Sequence, residues 1–288
     1  MMNENKAPSK FIKFMQFPLM RIFLGIGVLI FVSTLFQIGT ERIFGHDAIW
    51  ANLLSVLITA SAVTLAYYGF TRWIEQRQVT ELSLQSAPRE LGVGILIGAL
   101  LFSLTIGLLA LFGYYHVTGV NEWTAIFSWL VLAIISGVVE ELLIRGLLFR
   151  IMEEYLGTWL ALGISALIFG LLHMANPNAT LWGAIAISIE AGIMLAAAFV
   201  YTRRLWLPIG IHFAWNFVQG AIFGVAVSGN EARGLLQSTL SGPALLSGGD
   251  FGAEASIFAV VVCLTAGIYF VWKSYQQGKF ITPFWKRS

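Results

Sequence analysis

"WLVLAIISGVVEELLIRGLLFR", residues 129–150, decides what kind of protein this is. It is long enough to cross a hydrocarbon core of about 30 Å as a helix, and it is apolar except for Glu140, Glu141, Arg145 and the terminal Arg150. A charged side chain at the centre of a spanning helix costs about 3 kcal/mol on the insertion scale, so three unpaired charges would approach ~9 kcal/mol. On a helix Glu141 and Arg145 are i and i+4, stacked on one face and able to pair, while Glu140 is turned about 100° away. The arginine then neutralises one carboxylate and leaves the other free for chemistry. Taken alone, the same pattern is also what a helix end carries where it protrudes into water.

The rest of the chain follows this stretch. Of its 288 residues 58% are hydrophobic and 11% charged, where a soluble domain has roughly 25% charged. The mean hydropathy is +0.79. These values predict an all-α, polytopic membrane protein in one integral membrane domain over residues 1–288. Eight spanning helices are expected, near 19–39, 50–70, 91–114, 124–150, 158–176, 181–201, 205–227 and 256–272. Lys and Arg sort with this count. Fifteen of the 17 fall on one side and only Arg42 and Arg233 on the other, which by the positive-inside rule places both termini in the cytoplasm. The net charge of +2 therefore reports orientation and implies no nucleic-acid partner; the implied surroundings are a lipid bilayer, of the bacterial plasma-membrane type. The single cysteine, Cys263, excludes an internal disulfide and a Cys-ligated metal cluster, and reads as a buried small hydrophobe. No internal repeat is visible, which weighs against an inverted-repeat transporter. The longest polar connection, Ser228 to Ser256, is expected to wrap the outer face as a loop with a short helical piece.

Two more pairs lie at helical spacing. "FGLLH" sets Phe169 one turn from His173 in the fifth expected span, and "HFAWN" sets His212 one turn from Asn216 in the seventh. A lone histidine on an apolar helix is commonly a hydrogen-bonded core residue. His46 and His116 fall in expected outer loops, where a solvated role is the plain reading, so the two intramembrane histidines are the two with polar or aromatic partners one turn away. At 1.5 Å per residue, Glu140 lies about 15 Å above Arg150, His212 about 12 Å above Arg204, and His173 about 22 Å above Thr158. These depths suggest one cavity, expected to open inward. Glu190, in "SIEAGIM", is a further buried acid that needs a partner, a site histidine or a groove, while the small residues of "GAIAISIEAG" suit close helix packing.

Taken in order on separate helices, EExxxR (Glu140, Glu141, Arg145), FxxxH (Phe169, His173) and HxxxN (His212, Asn216) resemble the CPBP intramembrane proteases. That family groups type II CAAX prenyl endopeptidases with bacteriocin-processing and self-immunity proteins, also called abortive-infection proteins. The resemblance covers roughly residues 124–220, expected to be the catalytic core, and every motif position is filled. It implies an endopeptidase acting on a membrane-associated or prenylated-type protein or peptide. Glu140 and His173 would activate a water, and His212 with Asn216 would stabilise the oxyanion. Metal use stays open. Glu140, His173 and His212 would be the ligands of one zinc ion, since one carboxylate and two histidines are a catalytic zinc set, yet HExxH is missing and the same residues suffice for metal-free hydrolysis. The competing readings are a non-catalytic membrane protein that binds a peptide in immunity or regulation, and a proton-coupled transporter using Glu140, His173 and His212 as a relay.

Overall fold

The computed structural model describes residues 14–45 and 48–287. The expectations for Lys6, Lys10, Lys13 and His46 lie outside the described residues. Within them the chain is an all-α bundle of eight long helices: α1 (Pro18–Phe44), α2 (Ile49–Trp73), α3 (Ala87–Leu111), α4 (126–156), α5 (158–172), α6 (Leu181–Thr202), α7 (206–222) and α8 (Ile257–Gln276). Six apolar helical runs are long enough to cross a membrane, and one of them, Trp123–Ala175, is α4 and α5 joined at a kink. The kink is Gly157, at φ 76°, a conformation that disfavours any side chain. A Cβ there would also lie 2.7 Å from Pro283 N, because the C-terminal segment crosses the bend and Ile281 O accepts from Thr158 N at 3.0 Å. Polar caps start α6 and α8. The Thr180 hydroxyl accepts from Gly183 N at 2.9 Å for α6, and the Ser256 hydroxyl from Ala259 N at 3.1 Å for α8.

Helix α6 is the axis of the bundle. Its apolar window is 78% buried, while the other five long runs are between 22% and 39% buried. The outward faces of those runs carry exposed Leu, Ile, Phe and Trp, as lipid contact demands. Small residues bring the backbones together around the axis. A Cβ on Gly98 would lie 2.3 Å from Ile211 O and one on Gly210 2.5 Å from Leu91 O, so α3 and α7 touch through glycine. A Cβ on Gly170 would lie 2.2 Å from Ala184 O, which sets the α5–α6 crossing in the same way.

The two ends of the bundle differ. At one end Leu205 N donates to Glu81 O at 3.0 Å, and Thr158 meets Ile281. At the other, β1 (Tyr115–Val120) pairs antiparallel with β2 (Leu236–Leu240), and Asn176 and Asn178 donate to the carbonyls of Ser228 and Gly229 at 3.0 Å. The expected outer loop thus carries a strand and short helical turns, Ala244–Ser247 among them.

The first end is where the basic residues gather. Arg21 donates to Glu75 at 2.9 and 2.6 Å and to Glu154 at 2.7 Å, and Arg150 reaches both oxygens of Glu75 and Glu154 Oε1, each at 2.7 Å. Arg77 adds contacts to Glu75 at 2.9 Å and to Glu81, which also accepts from the Tyr67 hydroxyl. Burial alone would push the Glu75 carboxyl up. Arg150, Arg21 and Arg77 more than offset it and hold Glu75 below its ordinary value of 4.5. A carboxyl held lower in the fold than in the unfolded chain stabilises the fold above about pH 4.5, and this is lost as pH falls through the folded value. We expect Glu75→Gln to lower stability by about 3 kcal/mol at pH 7 and to flatten the acid limb of a melting-temperature profile in detergent. Parallel acid limbs in the two proteins would refute this assignment.

Candidate active site

Three helices meet over Glu140 and Glu141, which lie side by side on α4. Residues 136–140 and 142–149 of α4 form wide π turns, as do 188–193 of α6 and 218–222 of α7. Such turns interrupt regular helical hydrogen bonding and are frequent where side chains must be re-aimed. Here the carbonyls of Ala191 and Gly192 in the wide stretch of α6 accept from Arg145 Nη2 at 2.8 and 3.3 Å. Arg145 Nη1 donates to Glu141 Oε1 at 2.7 Å, and both side chains are 0% exposed. The pairing expected from i,i+4 spacing is therefore present, far from water. The Phe169 ring completes the arginine's surroundings, with the guanidinium 4.6 Å from its centroid, a favourable cation–ring contact.

Glu141 also contacts a group the spacing did not connect to it. His212 Nδ1 lies 2.9 Å from Glu141 Oε1, so the carboxylate fixes that nitrogen as N–H and turns Nε2 toward the cleft. Glu140 is on the other side: its Oε2 is 3.9 Å from His212 Nε2, and its side chain is 37% exposed. At that separation the two do not hydrogen bond, yet both reach one small group placed between them. With His212 protonated, Arg145, Glu141, His212 and Glu140 sum to zero charge, the arrangement a low-dielectric interior tolerates best.

His173 and Asn216 face the same cleft. His173 Nδ1 lies 2.8 Å from Phe169 O, which leaves Nε2 free, and its ring stands edge to face with Phe169 at 4.7 Å. Asn216 Nδ2 donates to Ser136 Oγ at 2.9 Å, which holds its amide across from α4. The cleft has a volume of about 400 Å³, and its lining includes Glu140, His173, His212 and Asn216 together with Asn176, Ser228 and Glu231. All six site residues from the sequence are thus gathered, Glu141 and Arg145 beneath the floor and the other four lining it. The expected inward opening is not what the structure has. The cleft is lined by residues of the β1–β2 end and not of the basic end. The reason is that α4 continues to 156. This extension puts Glu140 about 24 Å from the basic end of its helix, at 1.5 Å per residue. His173 likewise follows the last residue of α5.

Glu190 does not contact either histidine by a hydrogen bond. It shares with them a cavity of about 20 Å³ behind the cleft, whose lining also includes Glu254. Nothing in the sequence pattern singles out Glu254. It sits in a short turn of the outer segment beside Trp215 and Gln219 and accepts from Ser228 N, and burial pushes its carboxyl up to about 7. Acidity in a Gly-rich loop carries no sign that the loop folds back into the bundle. His116 is an exposed β1 residue whose Nε2 lies 3.0 Å from Gly113 O, away from the site. Cys263 is buried, as expected.

The zinc set considered from the sequence fits poorly. Although His173 and His212 both present Nε2, no three His, Cys, Asp or Glu side chains among the described residues are arranged to hold a metal ion.

Residues 121–218 match the family model described as type II CAAX prenyl endopeptidase Rce1-like. The match covers the central third of the chain. The matched segment begins just before α4 and ends in α7, so it contains all three motifs and the elements that carry them. A Bacillus subtilis (strain 168) protein named "Putative membrane peptidase YdiL" is 27% identical over 122 residues, 42% of this chain and 46% of that protein. The chain is matched to less than half the length of this curated relative. No solved structure matches. The apolar helices, together with a central segment similar to type II CAAX prenyl endopeptidases, support an integral membrane protein.

Proposed function

We propose that the chain is an intramembrane endopeptidase that hydrolyses a peptide bond of a membrane-associated polypeptide with a water activated by Glu140, and that residues 124–220 are its catalytic core. One observation carries the reading: a partly exposed carboxylate, two histidines with free Nε2 atoms and an amide converge on one cleft from α4, the end of α5 and α7, above a buried Arg145–Glu141 pair that fixes His212. The Glu140 carboxylate takes a proton from water as the oxygen adds to the scissile carbonyl, while the water's other O–H stays intact and donates a hydrogen bond to His173 Nε2. The developing oxyanion accepts from the Asn216 amide and from His212 Nε2–H, whose positive charge Glu141 supports. Collapse of the tetrahedral intermediate breaks the C–N bond, and Glu140 returns its proton to the leaving amine. One water is consumed and one acid and one amine are formed. The host membrane is a plasma membrane of bacterial type.

The test is cleavage of a quenched fluorescent peptide library by detergent-purified protein, with products identified by mass. We expect cleavage that persists in a chelator. Loss in chelator with recovery on adding zinc would replace the metal-free mechanism by a metallopeptidase, and no cleavage of any peptide, prenylated C-terminal peptides included, would overturn the hydrolase reading.

A further inference from the structure

The charge pattern and the position of the cleft together bear on which polypeptides reach the site. At the basic end, Arg21, Arg77, Arg150 and Arg203 are tied into the ion network or to Glu153. By the order of the spans, the remaining Lys and Arg apart from Arg42, Arg233 and the buried Arg145 belong to the same side. The positive-inside rule puts that end in the cytoplasm. The cleft opens at the other end. Its lining there includes Asn176, Val227, Ser228, Asn230 and Glu231, and it adjoins a second cleft with which it shares Trp129, Leu132 and Glu231. Toward the basic end, among the described residues, Arg145, Leu142, Leu147, Phe149 and Tyr67 are all fully buried beneath the site and leave it no opening there.

We propose that the site takes its peptide from the extracytoplasmic side, so that its substrates are the outward-facing segments of membrane-anchored or exported polypeptides and not cytoplasmic C-terminal tails. This rests on the endopeptidase reading above. The cleft walls match such a segment: Trp129, Leu132 and Ile135 give the cleft that holds Glu140 an apolar wall, and Glu122, Glu231 and Arg233 give the adjoining cleft a charged one. The scissile bond then lies within the membrane on the outer side of the buried Arg145–Glu141 pair, with its polar flank outside.

The experiment uses the full chain in oriented membrane vesicles and a charged, membrane-impermeant peptide that the detergent-solubilised protein cleaves. Right-side-out vesicles are expected to cleave it at least about tenfold faster than inside-out vesicles, and detergent should bring the inside-out sample to the same rate. The reverse order would overturn the proposal while leaving the hydrolase reading intact; absence of cleavage even in detergent removes the hydrolase reading instead. The side of opening is read independently by an impermeant maleimide. Asn230→Cys should label only in right-side-out vesicles and Gln78→Cys, at the basic end, only in inside-out ones, with buried Cys263 of the unsubstituted chain silent in both. Labelling of Asn230→Cys only in inside-out vesicles would overturn the assignment whatever the peptide assay gives.

Discussion

Arg145→Met is expected to destabilise the protein by about 3–5 kcal/mol and to abolish activity, while Arg145→Met combined with Glu141→Leu is expected to recover most of the stability and none of the activity. The single change leaves Glu141, fully buried, as a carboxylate without its guanidinium, and it also frees the carbonyls of Ala191 and Gly192 that hold α4 against α6. Removing both charges takes away the desolvation penalty of the orphan, and apolar side chains of similar volume are tolerated where an ion pair stood. His212 nevertheless loses the carboxylate on Nδ1 in the double variant, and with it the orientation that aims Nε2 at the cleft. Thermal unfolding and peptide cleavage, measured on the same preparations, separate the two effects. A double variant as active as the wild type would show that the buried pair serves packing alone.

The second large effect concerns Glu140. Glu140→Gln keeps the size and the hydrogen-bonding capacity of the side chain but removes the base, and general-base catalysis typically contributes 10²–10⁴-fold, so a fall in kcat of about a thousandfold is expected with little change in KM. The fold should not suffer. Glu140 is partly exposed, the His212 ring nitrogen beside it is 3.9 Å away, and no buried arginine is hydrogen-bonded to it, in contrast to Glu141. Adjacent carboxylates in one EE pair thus have opposite roles, one structural and one chemical, and the two substitutions should give opposite signatures in melting temperature and turnover.

Much of this was legible in the sequence. Long apolar runs bounded by basic residues fix eight helices because a bilayer leaves the backbone no alternative, and i,i+4 spacing fixes the Arg145–Glu141 pair because helix geometry does. Other features depend on contacts between helices, which no local pattern encodes. Glu141 meeting His212 needs the α4–α7 crossing set by Gly137, whose Cβ would lie 3.1 Å from Phe213 Cα. The π turns at 136–149 and 188–193 are tertiary accommodations with no propensity signal. Glu75 and Glu81 are buried among arginines, which no local pattern in their polar connection announces. The direction of the cleft differs from the expectation through helix length: the apolar run stops at Arg150, but α4 continues to 156 and so moves Glu140 toward the opposite end.

The central claim is that Glu140 activates the water that cuts the peptide. The measurement that bears on it most directly is the turnover of one cleaved peptide by wild type and Glu140→Gln, purified in the same detergent and shown by melting temperature to be equally folded. The account predicts loss of about three orders of magnitude in kcat with melting temperatures unchanged. Equal turnover by the two proteins would contradict it and return Glu140 to the status of a partly solvated carboxylate on a membrane helix.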